Sequence, residues 1–172
     1  MKIAHVVCTF PPYCGGMGNS AYYFAKYISK LNHQVTVFTP NYGQSTTNFD
    51  TGKIKIKRLQ PLFRIGQAGF LPSLLWQLPH YDVVHLHYPF YGSAEIVALA
   101  KLLWPNRLRL VVSYHMDNTA SGLKGFIFHL YRIFFLPLIL RLADEITCAS
   151  LDYIKHSQVN KYFQHHQHKF TQ

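Results

Sequence analysis

Acidic side chains are scarce in this sequence. Only 7 Asp and Glu stand against 17 Lys and Arg in 172 residues, a formal net charge of +10 with the 11 histidines neutral. Such a surface attracts phosphates, nucleic acid or anionic headgroups, and charge alone does not choose among them. Cysteine is also rare. Cys8, Cys14 and Cys148 form no CxxC pair, which excludes a disulfide framework and a zinc ribbon and points to a reducing cytoplasm. The N-terminal stretch MKIAHVVCTFPP lacks a small-residue cleavage site, so it reads as a first strand and not as a signal peptide. No internal repeat is evident, and no RNP-like or zinc-finger pattern accompanies the aromatics, which argues against nucleic acid as a partner.

What is present is apolar material for one core: 49% of residues are hydrophobic and 16% aromatic, so residues 1–172 read as a single domain. Runs rich in β-branched residues recur as KIAHVVCTF, QVTVFTP, KIKIKRL, YDVVHLHY, LRLVVSY and DEITCAS. Between them lie helical patterns. GNSAYYFAKYISKL aligns Ala21, Phe24, Ala25, Ile28 and Leu31 on one face with Asn19 or Ser20 as N-cap, and SAEIVALAKLLW stops at Pro105 and Asn106. A third helix spans about 122–142 and a fourth about 151–163. Near-continuous apolar strands suit a sheet covered on both faces, whereas KIKIKRL alternates and suits an edge. The fold class expected is α/β, a Rossmann-like doubly wound parallel sheet of about six strands. The polar stretch 40–53 reads as a loop leading to the edge strand.

The segment FPPYCGGMGNS follows the first strand, where open parallel sheets bind ligands. Gly16, Gly18 and Ala21 match the G-x-G-x-x-A spacing of dinucleotide folds, but FPPYC separates the glycines from the strand and the second strand ends without the acid that would hold a ribose. A plain turn is the bland reading. Glycines at a helix start favour a third one, in which the backbone approaches a diphosphate closely.

His85 and His87 share one side of a strand, and His115 and Asp117 stand at the end of another. Because His85 lies inside an apolar run and no carboxylate and histidine set completes a ligand group, no metal is expected. Together PPYCGGMG, YDVVHLHYP, VVSYHMD and RLADEITCAS, in that order, resemble the N-terminal domain of a retaining glycosyltransferase of the GT-B fold, family 4. The resemblance covers nearly the whole chain. It implies that Gly15, Gly16 and Gly18 form the loop facing the diphosphate of a nucleotide-sugar donor, and that His115, with Asp117 in the same loop, is the catalytic-site group that positions the donor sugar. It further implies that His87 and Tyr88 line the cleft for a carbohydrate or lipid-linked acceptor, in polysaccharide or glycolipid synthesis, and that no metal or cofactor is needed.

The resemblance also implies a C-terminal donor-binding domain with an E-x7-E pair, which residues 1–172 do not contain. The chain alone is therefore expected to be inactive, as half of a longer or two-part enzyme. The alternative is a non-catalytic domain that binds membrane or a partner. The segment GLKGFIFHLYRIFFLPLILRL bears on it. His129, Arg132, Arg141 and Pro137 argue against a membrane span, which needs roughly 20 largely apolar residues. Two readings remain, a buried crossover helix kinked at Pro137 or a segment resting on anionic lipid at the inner face of the membrane. The terminal His165, His166 and His168 are read as part of a frayed tail.

Overall fold

A computed structural model describes residues 1–13, 15–43 and 52–172. In chain order the elements are β1 (Lys2–Val6), α1 (Gly16–Lys30), β2 (Gln34–Pro40), β3 (Lys55–Leu59), the short strands β4 (Arg64–Ile65) and β5 (Ala68–Gly69), and α2 (Leu74–Gln77). There follow β6 (Val83–Tyr88), α3 (Ala94–Leu103), β7 (Arg109–Tyr114), α4 (Gly122–Leu142), β8 (Glu145–Cys148), α5 (Leu151–His156), α6 (Asn160–His165) and β9 (Phe170–Thr171). Seven strands form one parallel sheet in the order β3-β2-β1-β6-β7-β8-β9, while β4 and β5 pair separately as an antiparallel hairpin. The α/β, doubly wound expectation holds.

Burial follows the sequence pattern. Val84, Leu86, Leu110 and Val112 in the central strands have no or almost no exposure, and β3, with its alternating Lys and Ile, lies at the edge. A clamp with a buried lysine and an exposed carboxylate closes the far side: Lys101 Nζ reaches Asp144 Oδ2 at 2.8 Å and the Leu108 carbonyl at 2.8 Å, joining the end of α3 to the turn before β8.

Several sequence expectations need correction. The sheet has seven strands, because Phe170 is buried against Phe163 and carries β9 onto β8, so the expected frayed tail is packed. Helix α1 begins earlier than its polar residues indicate, with Gly15 as N-cap and no described side chain capping it. On α1, Ala21 and Ala25 are fully buried, but Phe24 and Leu31 are exposed. The fourth helix is two. Ser157 is extended, and its hydroxyl donates to the Ile154 carbonyl at 2.9 Å and accepts from the Val159 amide at 3.3 Å, which gives the backbone local partners in place of helical ones. The buried-crossover reading of α4 also fails in part, since only Tyr131, Leu136, Ile139 and Leu140 of its 21 residues are buried. Most of the 40–53 loop, and Cys14, lie outside the described residues. Cys8 and Cys148 are free and buried.

Gly18 shows why α1 can sit so close to the sheet. A Cβ there would stand 2.8 Å from the Thr9 carbonyl oxygen, a backbone atom that cannot swing away, whereas a Cβ at Gly16 meets nothing within 4 Å. Gly18→Ala is expected to lower stability by about 1–3 kcal/mol, the usual cost of overpacking. Gly16→Ala is expected to change it by less than about 0.5 kcal/mol. Urea unfolding of the two variants checks this; equal losses would show that the Thr9 contact is not what Gly18 serves.

Candidate functional site

The strand order reverses between β1 and β6: β2 and β3 lie to one side of β1, while β6, β7, β8 and β9 lie to the other. Because every strand runs parallel, the loops after β1, β6 and β7 emerge at the same end of the sheet, and the reversal opens a crevice between the first two. The glycine loop leads from β1 to α1 and His115 follows β7, so sequence-distant candidates share one end. The loop after β1 is braced by its neighbours. Arg58 at the end of β3 donates to the Pro11 carbonyl at 2.6 Å, and Tyr42 donates to the Cys8 carbonyl at 2.9 Å.

Beneath the crevice lies a layer of buried imidazoles. His5 on β1 stands opposite His85 on β6, and His87 is two residues further along the same face. His5 Nδ1 meets His87 Nε2 at 3.0 Å, and His87 Nδ1 meets His115 Nε2 at 3.0 Å. His85 Nε2 hydrogen-bonds Ser113 Oγ at 2.7 Å, which in turn meets Thr147 Oγ1 at 2.6 Å. Phe24 of α1 lies edge-on to His85 at 5.2 Å between ring centroids, which explains its position at the rim of this layer instead of in the apolar core. The sequence reading found no completing histidine set because it passed over His5. That residue was legible as a polar interruption in the middle of β1, and with His85 and His87 its ring nitrogens fall within 4.8 Å of one another.

Burial holds the layer neutral. It lowers the His5 pKa from 6.5 to about 3 and the His115 pKa to about 4, and it places His85 and His87 well below the ordinary value, reinforced by the neighbouring imidazoles. A neutral imidazole carries one N–H, so His87 donates through one nitrogen and accepts through the other. Among the described residues, none partners the buried His5 Nε2. An orphaned buried N–H is rarer than an orphaned acceptor, so His5 donates from Nδ1 to His87 and His87 donates from Nδ1 to His115. This assigns the His115 proton to Nδ1, the nitrogen that His87 does not engage.

The remaining candidates are placed differently. Asp117 shares the loop with His115, but its carboxylate accepts from the Tyr114 hydroxyl at 2.5 Å and from the Gln158 amide at 3.1 Å, and its own amide donates to Tyr153 Oη at 2.8 Å. It therefore pins the loop to the junction of α5 and α6. His87 and Tyr88 point to opposite faces of β6. Tyr88 stacks on Tyr114 at 5.5 Å and lies near Tyr91 and Tyr131, so the two are not brought together. Gly15 is extended and Gly16 starts α1, and among the described residues no side chain caps its first turn. Glu95, in the first turn of α3 beside this aromatic group, was missed by the sequence reading; burial raises its carboxyl pKa. Its signal was being the sole acid between Asp82 and Asp117.

Crevice, parallel sheet and covering helices together define the Rossmann-like half of a GT-B glycosyltransferase fold. The chain belongs to Glycosyltransferase Family 4, whose profile matches residues 14–157. Among solved structures it is similar to the HepE protein of Anabaena in complex with UDP-glucose, at 16% identity and a TM-score of 0.64, covering 99% of this chain and 43% of that one. It is also similar to the sucrose-phosphate synthase of Thermosynechococcus elongatus, at 16% identity and a TM-score of 0.60, covering 96% of this chain and 45% of that one. An alpha-glucosyltransferase in complex with UDP matches at 14% identity and a TM-score of 0.52, over 90% of this chain and 38% of that one. The chain thus spans less than half the length of these structures. No functionally curated protein matches it at a significant level.

The neutral imidazoles make a testable demand on pH. In the unfolded chain these rings titrate near 6.5, and in the folded one far lower, so below 6.5 the unfolded state binds more protons and stability falls as pH falls. Each such histidine removes about 1.4 kcal/mol per pH unit until its folded pKa is reached. Urea midpoints are expected to drop steeply between about pH 6.5 and pH 4.5, with a shallower slope in His5→Asn. Equal midpoints at both ends of that range would show that the rings are not held neutral.

Proposed function

We propose that this chain is the N-terminal, acceptor-side half of a retaining glycosyltransferase that uses a nucleotide-diphosphate sugar, and that transfer requires a second, donor-binding half. The observation that carries the reading is the convergence, at the switch point of a Family 4 domain, of His115 and an α1 N-terminus that no described side chain caps. The amides of Gly15, Gly16 and the first turn receive the diphosphate, aided by the helix dipole. His115 donates from Nδ1 to a hydroxyl of the donor sugar. Asp117 braces that loop. His87 acts from beneath by orienting His115, and Tyr88 supports the floor of the acceptor side.

UDP-glucose bound in the HepE structure and UDP in the alpha-glucosyltransferase support a nucleotide sugar as donor. Charge developing on the departing diphosphate calls for preorganised positive groups facing it, and the second half supplies most of them. No metal is needed in this scheme. The product belongs to polysaccharide or glycolipid synthesis on the cytoplasmic side. One observation favours the alternative, a non-catalytic membrane-binding domain: the apolar outer face of α4.

Gly16 separates the readings, because nothing in the folded chain requires glycine there. Titrating the chain with UDP-glucose, GDP-mannose and ADP-glucose while following backbone amides by NMR is expected to perturb Gly15, Gly16 and His115 with one donor. Gly16→Ala is expected to weaken that binding by about tenfold, since a methyl group blocks close approach of the phosphate. Turnover is expected to be absent until a donor-binding half is added. Turnover by the chain alone, or donor shifts that avoid the glycine loop, would overturn the proposal.

A further inference from the structure

Helix α4 is apolar on two sides, and the fold uses only one. Its buried residues Tyr131, Leu136, Ile139 and Leu140 begin only near its midpoint, and before them Phe128 is no more than half-buried, against Tyr91. On the outer side Leu123, Phe126, Ile127, Leu130, Ile133 and Phe134 recur at i, i+3, i+4, i+7, i+10 and i+11, which is one face of a helix. All six are exposed, Leu123 by 76%, Phe134 by 65% and Phe126 by 59%. Neighbouring α3, which packs against α4, also exposes Leu99, Leu102 and Leu103. An apolar ridge of this extent marks an interaction surface.

Topology excludes one occupant. α4 connects β7 to β8, parallel neighbours in the same sheet, so both of its ends are tied to the domain and it cannot cross a bilayer. Charge decides among the rest. No Asp or Glu occurs between Asp117 and Asp144, while Lys124, flanking the ridge, and Arg141, in line with it, are exposed. A second copy packing α4 on α4 would bring the same cations and the same +10 charge with no acid on that helix to meet them. An anionic bilayer meets both features at once, since acyl chains accept the ridge and headgroup phosphates accept the cations.

We propose that the outer face of α4 is a docking surface for an anionic lipid bilayer, with the helix lying in the plane of the interface. The parallel sheet puts the start of α4, its least buried part, at the end that carries the His115 loop. The crevice therefore opens close to the lipid surface. The docking surface stands on α4 alone and does not depend on sugar transfer.

The test is co-sedimentation of the full chain with vesicles of phosphatidylcholine alone and of equal parts phosphatidylcholine and phosphatidylglycerol, at low and raised salt. Binding is expected with the phosphatidylglycerol vesicles, weakened by salt. Phe126→Ser with Phe134→Ser, both at exposed positions and checked for folding by circular dichroism, is expected to reduce it by about tenfold or more. Lys124→Ala with Arg141→Ala is expected to weaken it and flatten the salt dependence. Absence of phosphatidylglycerol preference, or full binding by the phenylalanine variant, would overturn the proposal. So would a dimer in sedimentation equilibrium that the phenylalanine variant disperses, because a second copy would then cover the ridge. The donor titration uses no vesicles and this assay no donor, so each can fail without the other.

Discussion

Three neighbouring strands meet at a layer of imidazoles that the domain can bury only while the rings are uncharged. His5, His87 and His115 are linked in series, and each link needs one nitrogen with a proton facing one without. Protonating His87 or His115 places two donors face to face, and protonating His5 leaves a charged ring with an unpartnered N–H, in a region of low dielectric where burial already penalises charge. The layer thus fixes more than ring positions. It fixes which nitrogen of His115 carries the proton at the crevice, and β1, which already leads into the glycine loop, supports the His115 side as well.

Above that layer the parallel sheet does the assembling. Strand order brings the loops after β1 and β7 to one end although about a hundred residues of chain separate them, and contacts among loops hold the result. Arg58 holds the Pro-rich approach to the glycines, and Gly18 lets α1 lie against the Thr9 carbonyl. A dinucleotide-type reading would have Gly18 approach a phosphate. Its closest demand here is from the protein's own backbone, and Gly16 is the position with open space around it.

Much of the fold was legible because its signals are local. All six long strands were marked by β-branched runs, and Lys55, Lys57 and Ile56 announced the edge. What escaped detection was tertiary in origin. Phe24 fits the apolar face of α1 by periodicity, yet it borders a histidine layer whose members come from β1, β6 and the end of β7. The break at Ser157 depends on its hydroxyl and on Asp117 drawing off the Gln158 amide, and no short-range pattern announces that. The site was half legible: His115 and the glycines stood in recognisable motifs, whereas His5 belonged to none and gained meaning only once β1 was set beside β6. Tyr88, adjacent to His87 in sequence, was read with it although alternation along a strand sends neighbours to opposite faces.

The bracing of Asp117 carries a mechanical consequence. Its carboxylate holds the Gln158 amide, Gln158 Nε2 donates to the Asn118 carbonyl at 3.1 Å, and Asn118 donates to Tyr91 at 2.7 Å in the loop after β6. The three segments act as a linkage with the α5–α6 junction as its fulcrum. Any force applied to that junction is delivered to the loop bearing His115, so the far edge of the sheet has leverage over the crevice without touching what binds there.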